Sequence, residues 1–164
     1  MPNWVEGNLK IRGSIEDIKN FIEHEMVWGQ TSNLENAKVD IYELDGEIDV
    51  YRPNREIPDY LWINGQRNYV KPDGNCFSAY WDPRNKRPDT VVMVFEGYHA
   101  AWSVDVEPYI RFSNEYNIDF RIIGFEQGMQ FGVDISIEGG HLVKAEYLKY
   151  ENWDWDCPFP YLGG

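Results

Sequence analysis

The chain has 164 residues, 43% of them hydrophobic and 16% aromatic, and a formal net charge of −13. That length and apolar content suit one domain with a real core and exclude a disordered chain. Fifteen basic groups against twenty-eight acidic ones leave no general basic footprint for duplex DNA, and suit solubility or docking on a basic partner.

Residues 4–12 alternate, with Trp4, Leu9 and Ile11 among polar neighbours, and predict a strand that Gly13 ends. Ser14 then caps a helix, with Asp17 in the capping-box position. Ile15, Ile18, Phe21, Ile22 and Met26 recur at helical spacing, and Gly29 is expected to close that helix. Val39, Ile41 and Leu44 predict a short strand, residues 45–47 a turn, and residues 48–51 the return strand. Residues 52–90 hold five of the nine prolines and few aliphatics, and predict a long insertion with local structure. The apolar run "TVVMVF" at 90–95 predicts a central strand, ended by Gly97. Ser103 or Asp105 can cap a second helix with Pro108 in its first turn and Tyr109, Phe112, Ser113 and Tyr116 on its inner face. Residues 118–125 predict a strand. Residues 129–137 and 142–148 alternate around an "EGGH" turn, and predict a hairpin. Residues 150–164 form an acidic-aromatic tail.

The predicted fold class is therefore α+β: a ferredoxin-like split βαβ in one domain of residues 1–164, mostly antiparallel, with helices on one face. The long insertion interrupts it, and a C-terminal β-hairpin extends it.

Charge is unevenly placed. Residues 1–51 carry four basic and eleven acidic groups, a net −7, and residues 91–164 carry four and twelve, a net −8. Residues 52–90 carry seven and five, a net +2. Arg52, Arg55, Arg67, Lys71, Arg84, Lys86 and Arg87 are interleaved there with Tyr60, Trp62, Tyr69, Phe77, Tyr80 and Trp81. Basic plus aromatic is the composition of a single-strand nucleic-acid surface. It is also the composition of a loop whose aromatics pin it to a core while its cations pair with acidic neighbours.

Catalytic constellations are sparse. His24 sits between Glu23 and Glu25 in the first helix, His99 at a strand end, and His141 in a hairpin turn. An enzyme would need a pocket uniting His99 with Glu126 or Asp105, and Glu126 with Glu138 is the one candidate carboxylate pair. Cys76 and Cys157 cannot supply an iron–sulfur cluster alone, and no cysteine–histidine pair has zinc-finger spacing. No cofactor, metal or catalytic residue is predicted. No apolar run reaches a membrane span and the start lacks signal-peptide features, so a cytoplasmic protein with free thiols is expected. In the tail, Trp153, Trp155, Phe159 and Tyr161 could anchor a partner, or fold back over the sheet.

The segment "FEQGMQFG" at 125–132 is read as a hairpin turn, with Gly128 free to take positive φ and Gly132 leaving an open spot on the polar strand face. A phosphate cradle would need a helix after its glycines, whereas Gly132 leads into an alternating strand.

Two stretches, "MPNWVEGNLKIRG" and "FEGYHAAWSVDVEPYIRFSNEYNIDFRIIGFEQGMQFG", resemble the YubB-like family of small phage and plasmid proteins with a ferredoxin-like domain. Ala101, Trp102 and Ser103 match that family's "TAWSPP"-like segment. Glu126, Gly128 and Phe131 match its "E-x-G-x-x-F-x-G"-like segment, with Gly132 one position before that segment's last glycine. Pro108 falls later than the family's prolines. The resemblance covers both ends of the core but neither insertion nor tail. It implies a mobile-element origin and a topology rather than a cluster, and says little of activity.

The expected function is a non-enzymatic interaction protein of a mobile element, binding a basic host or element protein by mimicking nucleic-acid charge. The alternative is a single-stranded nucleic-acid binder that uses the insertion. The candidate contact residues are Arg84, Lys86, Arg87, Trp62 and Trp81, with Trp153 and Trp155 in the tail.

Overall fold

The computed structural model describes residues 3–29, 38–44, 47–52, 60–63, 65–71, 76–80 and 89–164, with backbone alone for Glu47 and residues 76–80. Strand β1 (Trp4–Gly13) buries Val5, Leu9 and Ile11 on one side and presents Asn8, Lys10 and Arg12 on the other. Ser14 is the extended N-cap of α1 (Ile15–Glu25), and its hydroxyl accepts from the Asp17 amide at 3.1 Å. That bond satisfies an amide the first helical turn leaves unpaired. The helix buries Ile18, Phe21 and Ile22.

The helix stops three residues short of its predicted end. Residues 26–28 form β2 (Met26–Trp28), whose Met26 and Trp28 are buried and which pairs with β5 (Leu61–Ile63). A β-branched and an aromatic residue, Val27 and Trp28, favour the pleated partner over another helical turn. Hairpin β3 (Asp40–Leu44) and β4 (Glu47–Tyr51) matches expectation. The insertion supplies β5, β6 (Asn68–Val70) and β7 (Cys76–Tyr80). Strand β8 (Val91–Ala101) is followed by α2 (Glu107–Tyr116), β9 (Asp119–Glu126), β10 (Phe131–Glu138), β11 (His141–Lys149) and the single turn α3 (Trp153–Asp156).

Among the described residues eleven strands join one sheet, in the order β11-β10-β9-β1-β8-β6-β5-β2, with a branch β8-β7-β4-β3. Every pairing is antiparallel. The fold is thus α+β with an antiparallel sheet. Phe21 of α1 and Tyr109 of α2 both meet Phe120 of β9 edge-on, at 5.4 and 5.2 Å, so both helices cover the same sheet face. Each such ring pair adds about 0.5–1.5 kcal/mol to the burial itself.

The branch arises at a bulge. Gly7 pairs with Tyr98 and Leu9 with Phe95, so Glu96 and Gly97 together face Asn8. Gly97 therefore does not end β8; at φ +70° it bends the strand, which runs on to Ala101. Before the bend Val92 and Met93 pair with β7; after it residues 98–100 pair with β6. The Lys71 amide donates to the Gly97 carbonyl at 2.9 Å. A buried chain ties the inserted strand to the helices: Asn68 Nδ2 donates to the Tyr109 hydroxyl at 3.0 Å, which lies 2.9 Å from that of Tyr98. Burial pushes both phenols upward in pKa.

Two further expectations change. Helix α2 has Val106 as N-cap with no side-chain cap, although Asp105 Oδ1 accepts from the Glu107 amide at 3.2 Å. Gly128 is not at positive φ; Gln130 is, at +56°. What Gly128 supplies is room, because a Cβ there would lie 2.9 Å from Glu126 Oε1. The spot beside Gly132 is filled, with Phe125 and Leu148 within 3.3 Å of where a Cβ would stand.

Gly97 is a sharp test of this architecture. An added Cβ would stand 2.8 Å from the Lys71 carbonyl oxygen at a left-handed φ. Gly97→Ala is expected to lose about 1–3 kcal/mol in a denaturant titration, with hydrogen-exchange protection falling first at Lys71 and Tyr69. An unchanged midpoint would contradict the bulge.

Candidate functional site

The sheet face opposite the helices carries the side chains of interest. Strand alternation places Trp4, Glu6, Asn8, Lys10 and Arg12 of β1 there, with His99 of β8 and Arg121 and Ile123 of β9. Asp134 and Lys144 extend the same face onto β10 and β11.

One end is aromatic. Tyr69 stacks on His99 with centroids 4.6 Å apart and planes 7° from parallel. Trp62 and Tyr60 lie 4.9 Å from Tyr69, and Trp4 lies 5.2 Å from it. The half-buried Tyr69 is the hub, and burial, with Tyr60 and Glu6 adding, pushes its hydroxyl up to about 12. The ammonium of Lys71 stands 5.8 Å from the Tyr60 ring centre. His99 Nδ1 lies 2.8 Å from the Gly97 carbonyl, and its Nε2 is 3.9 Å from Glu6 Oε1. The partners the sequence offered for His99 are engaged elsewhere. The buried Glu126 accepts from the Gly128 and Met129 amides, and so holds the β9–β10 turn. Glu138 sits at the far end of the same ladder, so these two carboxylates are not a pair.

The middle is cationic. Lys10 is directly opposite Arg121 in the β1–β9 register. Like charges in that position repel. Arg121 is compensated: its guanidinium donates to Asp134 and, at 3.0 Å, to the Ile135 carbonyl. Arg12 pairs with Asp119 at 2.6 Å and Glu138 at 3.4 Å. Lys10 is exposed and has no ion-pair partner among the described residues.

The tail forms the near wall. Trp153 and Cys157 bury against Phe125 with Tyr150 and Leu162, and Trp153 Nε1 donates to the Pro160 carbonyl at 2.8 Å. The Gly163 amide donates to Glu6 Oε2 at 3.1 Å; its φ of +80° and the backbone oxygens of Phe125 and Trp4, 2.4 and 2.5 Å from where a Cβ would be, require glycine. Between tail and sheet runs a groove of about 330 Å³, lined by Lys10, Arg121, Ile123, Phe125, Phe159 and Tyr161 among others.

The sequence-derived candidates divide accordingly. Trp62 joins the aromatic end, Trp153 is an internal anchor of the tail, and Trp155 is 85% exposed on α3. Trp81, Arg84, Lys86 and Arg87 lie outside the described residues. Sequence reasoning missed Lys10, Arg121, Tyr69 and Trp4 as members of one face. Their alternation was readable, but their juxtaposition needs the strand register. Among the described residues no cluster of three or more metal-ligating side chains occurs, and no helix is long and apolar enough to cross a membrane. Compared with known proteins, the chain matches no family model, no curated protein and no solved structure.

Asp134 gives this face a pH signature. The hydrogen bond from Arg121, then that from Lys144, holds its carboxyl below the usual range against the opposing effect of burial. A depressed folded value means stability that is present above the unfolded value, about 3.9, and lost as pH falls through the folded one. The stability difference between the native protein and Asp134→Asn should therefore be constant from about pH 5 to 7 and shrink below about pH 4. A difference that grows on acidification contradicts the pairing.

Proposed function

We propose that the chain is a non-enzymatic binding module that takes single-stranded nucleic acid across its open sheet face. The observation that supports this most is the row on one face of an aromatic cluster, an uncompensated Lys10 and a groove walled by Phe159 and Tyr161. Bases stack on exposed rings regardless of sequence, and phosphates require cations between the rings. Glu6, which touches the aromatic end, and Lys10 are four residues apart on β1, roughly 13 Å at strand rise, so one extended strand could meet both. Part of the net negative charge lies away from this face. The two helices on the opposite face hold six carboxylates (Glu16, Asp17, Glu23, Glu25, Glu107, Glu115) against Lys19 and Arg111.

That acidic layer favours a second reading, in which a basic protein docks on the helices and the chain imitates nucleic-acid charge. A kinship with YubB-like proteins and a mobile-element origin belong to the same proposal. In support, Glu126 and Gly128 make one turn, and Gly132 packs beneath Phe125 and Leu148. We also read the path β9-β1-β8 with its two helices as a split βαβ core, into which hairpin β5–β6 has been inserted before β2.

Anisotropy titrations with labelled single-stranded DNA and RNA at low salt test the first reading. Binding should weaken as salt rises. Tyr161→Ala, at a ring 68% exposed, should cost about 1–3 kcal/mol if a base stacks there. Lys10→Ala should lower the salt slope by about one. Parallel replacement of Arg84, Lys86 and Arg87 asks whether the basic segment 52–90 contributes. No binding at low salt rejects the reading. For the second, a chain with Glu16, Glu23, Glu107 and Glu115 all changed to Gln should lose a co-purifying basic protein that the native chain retains; equal recovery removes it.

A further inference from the structure

The long sheet ends on an edge that complements itself. Among the described residues strand β11 pairs only with β10, and seven of its nine residues are exposed, including Leu142, Val143 and Tyr147. An edge of that length offers a row of unpaired amides and carbonyls to another strand.

In a two-fold pair with the axis normal to the sheet, facing residues must share a side, so only registers that centre on a residue are possible. Centring on Lys144 sets two lysines opposite each other, and centring on Glu146 sets two glutamates opposite each other. Centring on Val143 uses little of the strand. Centring on Ala145 sets Lys144 against Glu146 and Val143 against Tyr147, twice each, with a small residue on the axis. Lysines and bulges are the devices that usually keep an edge from pairing. Here Val143 has no partner on β10 and marks such an irregularity, and its side chain is 62% exposed. In the Ala145 register neither device obstructs, because the lysine finds a carboxylate and the extra residue finds a ring. Glu146 is half-exposed, and among the described residues its one ion-pair partner is Lys144 of its own strand, at 3.2 Å, which leaves it open to a second lysine. The five-residue strand β3, which among the described residues pairs only with β4, carries Asp40 and Glu43 and no cation, so it lacks this complementarity.

We infer that β11 is a homodimer interface, in which a second copy adds its own β11 antiparallel about a two-fold axis through Ala145 and continues the sheet. The occupant is this chain itself, recognised by backbone hydrogen bonds and by the reciprocal Lys144–Glu146 contacts.

Sedimentation equilibrium of the full chain over a wide concentration range tests the assembly, and a cysteine tests the register. The native chain should be dimeric. Glu146→Lys and Lys144→Glu, each alone, should raise the dimer dissociation constant on the order of tenfold or more, since each sets two like pairs in contact. Mixing the two variants should restore a dimer, because every contact in the mixed pair is then opposite in charge. Ala145→Cys should form an interchain disulfide under mild oxidation, since directly opposed strand residues stand within about 4.5–5.5 Å. Val143→Lys, at an exposed residue, should give a folded monomer whose melting no longer depends on protein concentration, as that of the native dimer should. A monomeric native chain at high concentration overturns the inference. So does a dimer that survives Glu146→Lys, or an Ala145→Cys chain that stays reduced while dimeric.

Discussion

The bulge at Gly97 is the constraint from which the rest of this molecule is arranged. A regular strand has one partner on each side. By taking a left-handed φ there, β8 turns its second half away from its first and gains two partners on the same side, β7 and then β6. The turn lets the β5–β6 hairpin enter the sheet instead of lying on it. It also lays His99 against Tyr69, which starts the aromatic end of the open face. The backbone bond from Lys71 to Gly97 and the buried Asn68–Tyr109–Tyr98 chain then hold the inserted strand in place. Partners of this kind are costly to leave unmade once buried, so they specify as well as stabilise.

Two faces of opposite character result from the single layer of helices. The covered face is apolar, closed by edge-to-face rings from α1, α2 and β9. The outer surface of the helices is acidic, because nothing there must be buried and the carboxylates remain hydrated. On the open sheet face Arg12, Arg121 and Lys144 are already paired. Lys10 has no ion-pair partner among the described residues, and it stands in the groove that the tail completes. The tail is held by Trp153 and by the Gly163–Glu6 contact. An acidic-aromatic segment that reads as a docking motif is therefore in large part the wall of a groove, with Trp155 left exposed.

Much of the frame was legible. The alternation of β1, the Ser14 cap, the apolar run of β8, the inner face of α2 and the β10–β11 hairpin each arise from contacts within a few residues, or from burial on one side. The errors share one cause. Met26–Trp28 looked like a helix end because its pairing partner lies thirty-five residues away, and the β5 and β6 strands are too short to show a period. Gly97 and Gly128 were assigned the usual roles of glycine, a stop and a positive φ. The actual demands, a bent strand and room for a carboxylate, come from neighbours distant in sequence or from a side chain folding back.

The sequence by itself determined which residues face together along the longer strands and the two main helices, where the acidic and basic segments fall, and that the chain is apolar and aromatic enough for a real core. Those properties depend on backbone period and side-chain chemistry, which are local. Tertiary structure alone decided that Lys10 stands opposite Arg121, that Tyr69 lies on His99, and that Glu126 is consumed by its own turn. Strand register and a bulge are settled by the free energy of the whole sheet, and no local pattern encodes which strands will be neighbours.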